Sequence, residues 1–154
     1  MVLLLAFLIG IVAGLRTMMA PTMVSWAAKL GWLKIGAGWL TWLGYSWTAW
    51  IFSVAALGEL INDKLPMTAS RKMPPQFIAR VISGSLAGAA IGDSAGFVWP
   101  GLILGGLGAV AGTLGGAWAR TTLVKATGGR DFPVALLEDI VAIGGGLMIV
   151  KLIS

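Results

Sequence analysis

Residues 1–28 read MVLLLAFLIGIVAGLRTMMAPTMVSWAA: an apolar segment with a single charge, Arg16, and a single proline, Pro21. About 20 apolar residues suffice to cross a bilayer core, so two readings are open. The segment is either one long tilted helix or two half-helices broken near Arg16–Pro21. A charged side chain at the bilayer centre costs roughly 2.5–3.5 kcal/mol even on the mildest insertion scale. Arg16 should therefore face the protein interior and have a partner. It is either a structural arginine that snorkels or caps broken-helix carbonyls, or an anion contact or gating ion pair. No basic residue precedes the run and no small-residue cleavage site is followed by a polar domain, so Met1–Leu15 is expected to be a retained span rather than a signal peptide.

The rest of the chain has the same character. Of its 154 residues, 58% are hydrophobic and 11% charged, and 23 are glycine. Mean hydropathy is +0.92. Soluble domains carry about a quarter charged residues, so a soluble enzyme, a disordered tail and a nucleic-acid-binding module are all disfavoured. There is no cysteine and no histidine. That removes disulfides, thiolate chemistry, and the commonest metal ligand and general base. No enzyme activity, metal or cofactor is expected, and no nucleic-acid partner.

Charge-free runs place spans at about 2–28, 39–58, 77–92, 97–119 and 134–153. The expectation is an all-α integral membrane protein, one domain over 1–154, built as a compact bundle of about five transmembrane helices. Lys64, Arg71, Lys72, Arg120, Lys125 and Arg130 fall in the loops 59–76 and 120–133, with Arg80 close by, while Lys29 and Lys34 fall on the other side. The positive-inside rule makes the first two loops cytoplasmic, in a bacterial inner membrane. Five crossings then leave the N-terminus in the cytoplasm and the C-terminus outside. A re-entrant hairpin at 1–28 would flip the N-terminus and leave the loops where they are.

Glycines recur every fourth residue at Gly84, Gly88 and Gly92, at Gly108, Gly112 and Gly116, and at Gly10 and Gly14. On a membrane helix this spacing makes a groove for close backbone approach. Gly144-Gly145-Gly146 is the best candidate for a local helix break. Trp26, Trp32, Trp39 and Trp42 cluster near the first outer loop, with Trp47 and Trp50 beyond, as an interfacial aromatic belt would; an aromatic pocket wall is the alternative.

The acidic residues come in two pairs. Glu59 and Asp63 share a helix face and repel unless a proton, cation or arginine lies between them. Glu138 and Asp139 open the last span, where a helix N-terminus favours negative charge. Both pairs fall on the side that holds Arg80 and Arg120. They form either a salt-bridge network at the helix ends or a polar vestibule for a cation, proton or charged substrate. Gly14-Leu15-Arg16-Thr17 followed by Glu59 also echoes Trp118-Ala119-Arg120-Thr121 followed by Glu138, a weak sign of an inverted repeat.

Three elements occur together: Ala13-Gly14-Leu15-Arg16-Thr17-Met18-Met19-Ala20-Pro21, Glu59-Leu60-Ile61-Asn62-Asp63-Lys64-Leu65-Pro66, and Leu136-Leu137-Glu138-Asp139-Ile140-Val141-Ala142. In order and setting the chain resembles the bacterial membrane family called domain of unknown function 4126, from about Ile9 to Ile149. The Glu-x-x-x-Asp-Lys-x-Pro element is the most specific of the three. The resemblance implies an inner-membrane protein of several helices and no established activity.

The functional expectation is a small transporter or channel-like protein with a buried polar site drawn from Arg16, Glu59, Asp63, Arg120, Glu138 and Asp139. Five spans are few to enclose a path, so a homodimer through glycine faces is expected. The partners are the lipid bilayer and a small ion or charged solute. The alternative is a non-transporting membrane scaffold or lipid-binding protein.

Overall fold

A computed structural model describes residues 1–36, 38–62 and 74–154. Its elements are α1 (Val2–Leu15), α2 (Met19–Lys29), a short 3-10 turn (Thr41–Gly44), α3 (Ser46–Asn62), α4 (Pro74–Asp93), α5 (Val98–Ala126) and α6 (Asp131–Ile153). Among the described residues the protein is all-helical. Asp63 and the rest of 63–73, which held the loop between the second and third expected spans, lie outside them.

The first apolar segment is two helices. Arg16 leaves α1 with extended backbone angles, φ −141° and ψ 112°, and the Met19 N–H returns to the Arg16 carbonyl at 3.2 Å. Pro21 falls in the first turn of α2, where its missing N–H leaves no helical bond unmade. The two helices also reverse direction. Along α6, Asp139 lies at Arg16, Gly145 beside Val12 and Gly146 beside Met23. A helix that runs against α1 and along α2 makes residues 2–29 a hairpin. All six helices therefore alternate in direction, and Met1 lies at the same end of the bundle as Ser154.

The hairpin is short. At 1.5 Å per residue, the 14 residues of α1 span about 21 Å and the 29 of α5 about 44 Å. Its tip stops beside Thr113, near the middle of α5, whose hydroxyl lies 3.4 Å from the Gly14 carbonyl.

Glycine packing holds the centre. A Cβ on Gly10 or Gly105 would strike backbone of the facing helix, as would one on Gly108 or Gly112 against α1. A Cβ on Gly84 would sit 2.7 Å from Ala109 Cβ, and one on Gly88 2.7 Å from Gly105 Cα. Gly92 closes on Phe97 and Gly101 at the α4–α5 turn. Helices α1, α4 and α5 thus meet almost backbone to backbone. Gly116 lines a cleft between α5 and α6.

Several expectations are revised. The second expected span, 39–58, begins as an α-helix only at Ser46; before it, Thr41 Oγ1 donates to the Gly38 carbonyl at 2.8 Å, 3.1 Å from that of Gly36, and shapes a turn. The three glycines at 144–146 do not break α6, which runs unbroken through them. Their freedom costs little where Gly145 and Gly146 make room for Val12 and Met23. The inverted repeat does not hold for the matched helices, since α1 and α5 run in the same direction: Gly10 faces Gly105, and Gly14 faces Ala109 and Thr113. Two described helices, 98–126 and 132–153, are long and apolar enough to cross a membrane, while 2–15 and 46–61 are shorter apolar helices. Among the described residues a five-span bundle is therefore not confirmed.

Candidate functional site

The tip of the hairpin is where the charges gather. Reversing the chain at Arg16–Met18 strands carbonyls at the end of α1 and N–H groups at the start of α2. Glu59, near the end of α3, covers the N–H groups. Its Oε1 accepts from Thr17 N at 2.7 Å and its Oε2 from Met18 N at 2.8 Å. A carboxylate at a helix N-terminus meets both the open donors and the positive end of the helix dipole.

Arg80, in the second turn of α4, covers the carbonyl side. Its Nη1 donates to the Gly14 carbonyl at 2.6 Å, and its Nη2 lies 4.0 Å from Glu59 Oε1. Ser83, one turn further along α4, donates to the Thr17 carbonyl. Thr22 Oγ1 donates to the Met18 carbonyl at 2.6 Å, and the Phe52 carbonyl of α3 lies 3.0 Å from the same hydroxyl. The break is thus closed by side chains of α3, α4 and α5.

Arg16 itself turns the other way, to α6, where Asp139 forms an ion pair with its Nη2. Arg16 is 0% exposed, Arg80 3% and Asp139 7%, while the Glu59 side chain is 19% exposed. Among the described residues two guanidiniums and two carboxylates meet there. Such a set orients and holds charge. A buried pair of this kind is stable only while both partners are present.

Arg120 and Glu138 form a second pair, Nη1 to Oε2 at 3.4 Å, nearer the ends of α5 and α6. They face a cleft of about 140 Å³ with apolar walls. Glu138 and Asp139, adjacent in sequence, therefore serve different arginines. Of the expected site residues, Arg16, Glu59 and Asp139 meet at the tip; Arg120 and Glu138 stand apart, and Asp63 lies outside the described residues. Among those residues no three acidic side chains converge as a metal site would require. Reading the sequence missed Arg80, Ser83 and Thr113 as members of the layer. Arg80 gave a signal, as a lone charge in an apolar run. Ser83 and Thr113 gave none, because a single hydroxyl in a glycine-rich helix looks like packing.

The wider setting is aromatic. Lys29 Nζ lies 4.6 Å from the Trp26 ring centre and 5.7 Å from that of Trp50, and the two rings meet edge to face at 5.2 Å. Trp26 Nε1 donates to Ser53 Oγ at 2.7 Å. These rings fix α2 to α3 at the end of the bundle away from the tip, and none of them walls the polar layer.

A helical hairpin whose tip is locked by buried charge, inside a glycine-packed bundle, defines the class of protein. The family model described as domain of unknown function (DUF4126) matches residues 3–152, and the chain belongs to that family. No curated protein and no solved structure matches it.

Proposed function

We propose that this chain is a small multi-pass protein of the bacterial inner membrane, transporter-like or channel-like, that passes a small ion or charged solute through the layer formed by Arg16, Asp139, Glu59 and Arg80. One observation carries the reading. The backbone breaks between α1 and α2 beside the middle of α5, and side chains of α3, α4, α5 and α6 supply the charges and hydroxyls there. Non-helical backbone at membrane depth is tolerated where protein covers it or water reaches it, and broken helices recur at ion and substrate sites. Buried ionisable side chains at that depth are expensive and are kept where they act.

In this reading α5 and α6 cross the bilayer, α3 and α4 cross beside them, and the α1–α2 hairpin enters from the outer face and returns. The tip faces the cytoplasmic half, with the loops 59–76 and 120–133 beyond it. The ion pairs of the layer are its closed state, and passage of the solute exchanges their partners. Two copies make the working unit. The protein is not an enzyme and needs no cofactor.

The test is ion flux into proteoliposomes, with protons, sodium, potassium, chloride and acetate supplied one at a time. Flux of at least one of them, abolished by Asp139→Asn, supports the reading. No flux of any of the five in vesicles that hold folded protein contradicts it. The second reading, a scaffold without transport, draws its support from the α1–α4–α5 core, whose glycine contacts leave no path between those helices, and gains from that result.

A further inference from the structure

Ser25, in the middle of α2, is 0% exposed, and its Oγ has no hydrogen-bond partner among the described residues. Other helix hydroxyls of the bundle donate to the carbonyl four residues back: Thr22 to Met18, Ser53 to Ala49 and Thr113 to Ala109. Ser25 lacks that contact. A hydroxyl withdrawn from solvent and left unmet is costly, and in a folded protein such a group calls for a functional reason.

Its position supplies one. Residues three apart on a helix lie about 60° from one another and about 4.5 Å apart along the axis. Ser25 therefore shares a face of α2 with Thr22, towards the tip, and with Ala28, towards the outer end. Ala28 is in the wall of a cleft of about 400 Å³ at that end, together with Lys34, Thr41 and Tyr45. Lys34 is exposed, and among the described residues it is the only charged one in that wall. Asp93, at the end of α4, accepts from the Gly36 N–H at 2.6 Å and does not line the cleft. In the other direction Thr22 leads to Met18, whose N–H, with that of Thr17, meets the Glu59 carboxylate. One face of α2 thus runs from a cationic mouth, past an unmet hydroxyl, to amide donors that already hold an anionic group. The positive end of the α2 dipole lies at the tip and favours negative charge there.

We propose that the solute is a small monovalent anion, and that its outer route follows this face of α2 from the Lys34 cleft past the Ser25 hydroxyl to the hairpin tip. The proposal deepens the transport reading and rests on it. Lys34 gathers the anion at the mouth by long-range attraction. The Ser25 hydroxyl donates to it midway, and at the tip the anion competes with Glu59 for the Thr17 and Met18 N–H groups. With Ser25 wholly buried, the structure is that of the closed route.

The experiment uses the full chain in proteoliposomes. Ser25→Cys is alkylated with iodoacetate and, separately, with iodoacetamide, which share their chemistry and differ in charge. Each rate is divided by that of Ser154→Cys, an exposed position, with the same reagent. The expected result is a preference for iodoacetate at residue 25 of at least about threefold, the size of effect a partly exposed charge exerts, and its loss in Lys34→Gln. Ser25→Ala, which removes the unmet hydroxyl without adding bulk, should melt no lower than the wild type and carry chloride or acetate at least about threefold more slowly. No reaction at residue 25 while residue 154 reacts fully overturns the proposal. So does a preference that survives Lys34→Gln, or anion flux unchanged in Ser25→Ala. Flux of protons, sodium or potassium without chloride or acetate overturns the anion assignment and leaves transport standing. An iodoacetate preference without flux of any ion contradicts transport and retains the cleft and Ser25 as an anion pocket.

Discussion

Asp139 of α6 pairs with Arg16 at the point where the first apolar segment reverses, and both side chains are almost wholly withdrawn from solvent. Removal of the pair is informative because each member loses an ionic contact made while almost wholly buried. Arg16→Met or Asp139→Leu alone should cost about 3–5 kcal/mol, the usual loss when one partner of a buried pair is deleted. The double variant should recover much of it. Chemical denaturation in mild detergent, read as a double-mutant cycle, checks this; additive losses would show that the two do not interact.

Glu59 is expected to act through the backbone. Its two oxygens cover the Thr17 and Met18 N–H groups, and bonds to a charged acceptor contribute about 1.5–3 kcal/mol each at most. Glu59→Ala should speed hydrogen exchange at residues 17 and 18 by at least tenfold, about 1.4 kcal/mol. Glu59→Gln, which keeps one acceptor oxygen, should fall between. Unchanged exchange at these two amides would mean that another group holds them.

The glycines divide into two groups by what lies opposite them. Gly112→Leu would drive a side chain into the Ile11 backbone, and Gly105→Ala would strike Gly84; overpacking of this kind typically costs about 1–3 kcal/mol. Gly144 has nothing within 4 Å of an added Cβ, so Gly144→Ala should be neutral or gain up to about 1 kcal/mol through helix propensity. Melting temperatures of the three variants in detergent decide the matter. A destabilised Gly144→Ala would reveal a partner helix on that face.

How much of this was legible beforehand depends on what each residue's neighbours in sequence could reveal. The membrane-like composition, the family and the weak point at Arg16–Pro21 were open to reading, because charge and proline in an apolar run carry a local energetic signal. The direction of α2 was not. A tilted helix and a hairpin have the same hydropathy, and only the distant contacts of Val12, Met23 and Asp139 distinguish them. The glycine ladders at 84–92 and 108–112 announced close packing correctly. Pairing among the acids was also hidden. Glu138 and Asp139 look like one acidic pair, yet helix geometry turns adjacent residues about 100° apart, and each finds a different arginine.

The hairpin changes one topological expectation. With six alternating helices, Met1 and Ser154 lie at one end, and the end of α3 and the start of α4 at the other. The chain has no cysteine, so Ser70→Cys and Ser154→Cys give clean labels. An impermeant thiol reagent added to intact cells should modify the residue introduced at 154 and spare the one at 70. Labelling at 70 from outside would invert the orientation.

The central claim is that the ionic layer at the hairpin tip opens to water when it works. The most direct measurement is the rate at which a small thiol reagent modifies Thr17→Cys in inverted membrane vesicles, with Ser70→Cys as the reactive control. The account gives slow but measurable modification, faster by at least about tenfold when Asp139→Asn weakens the pair with Arg16. No modification on either background, while the residue introduced at 70 reacts fully, would contradict it and leave the hairpin tip a permanently closed structural lock.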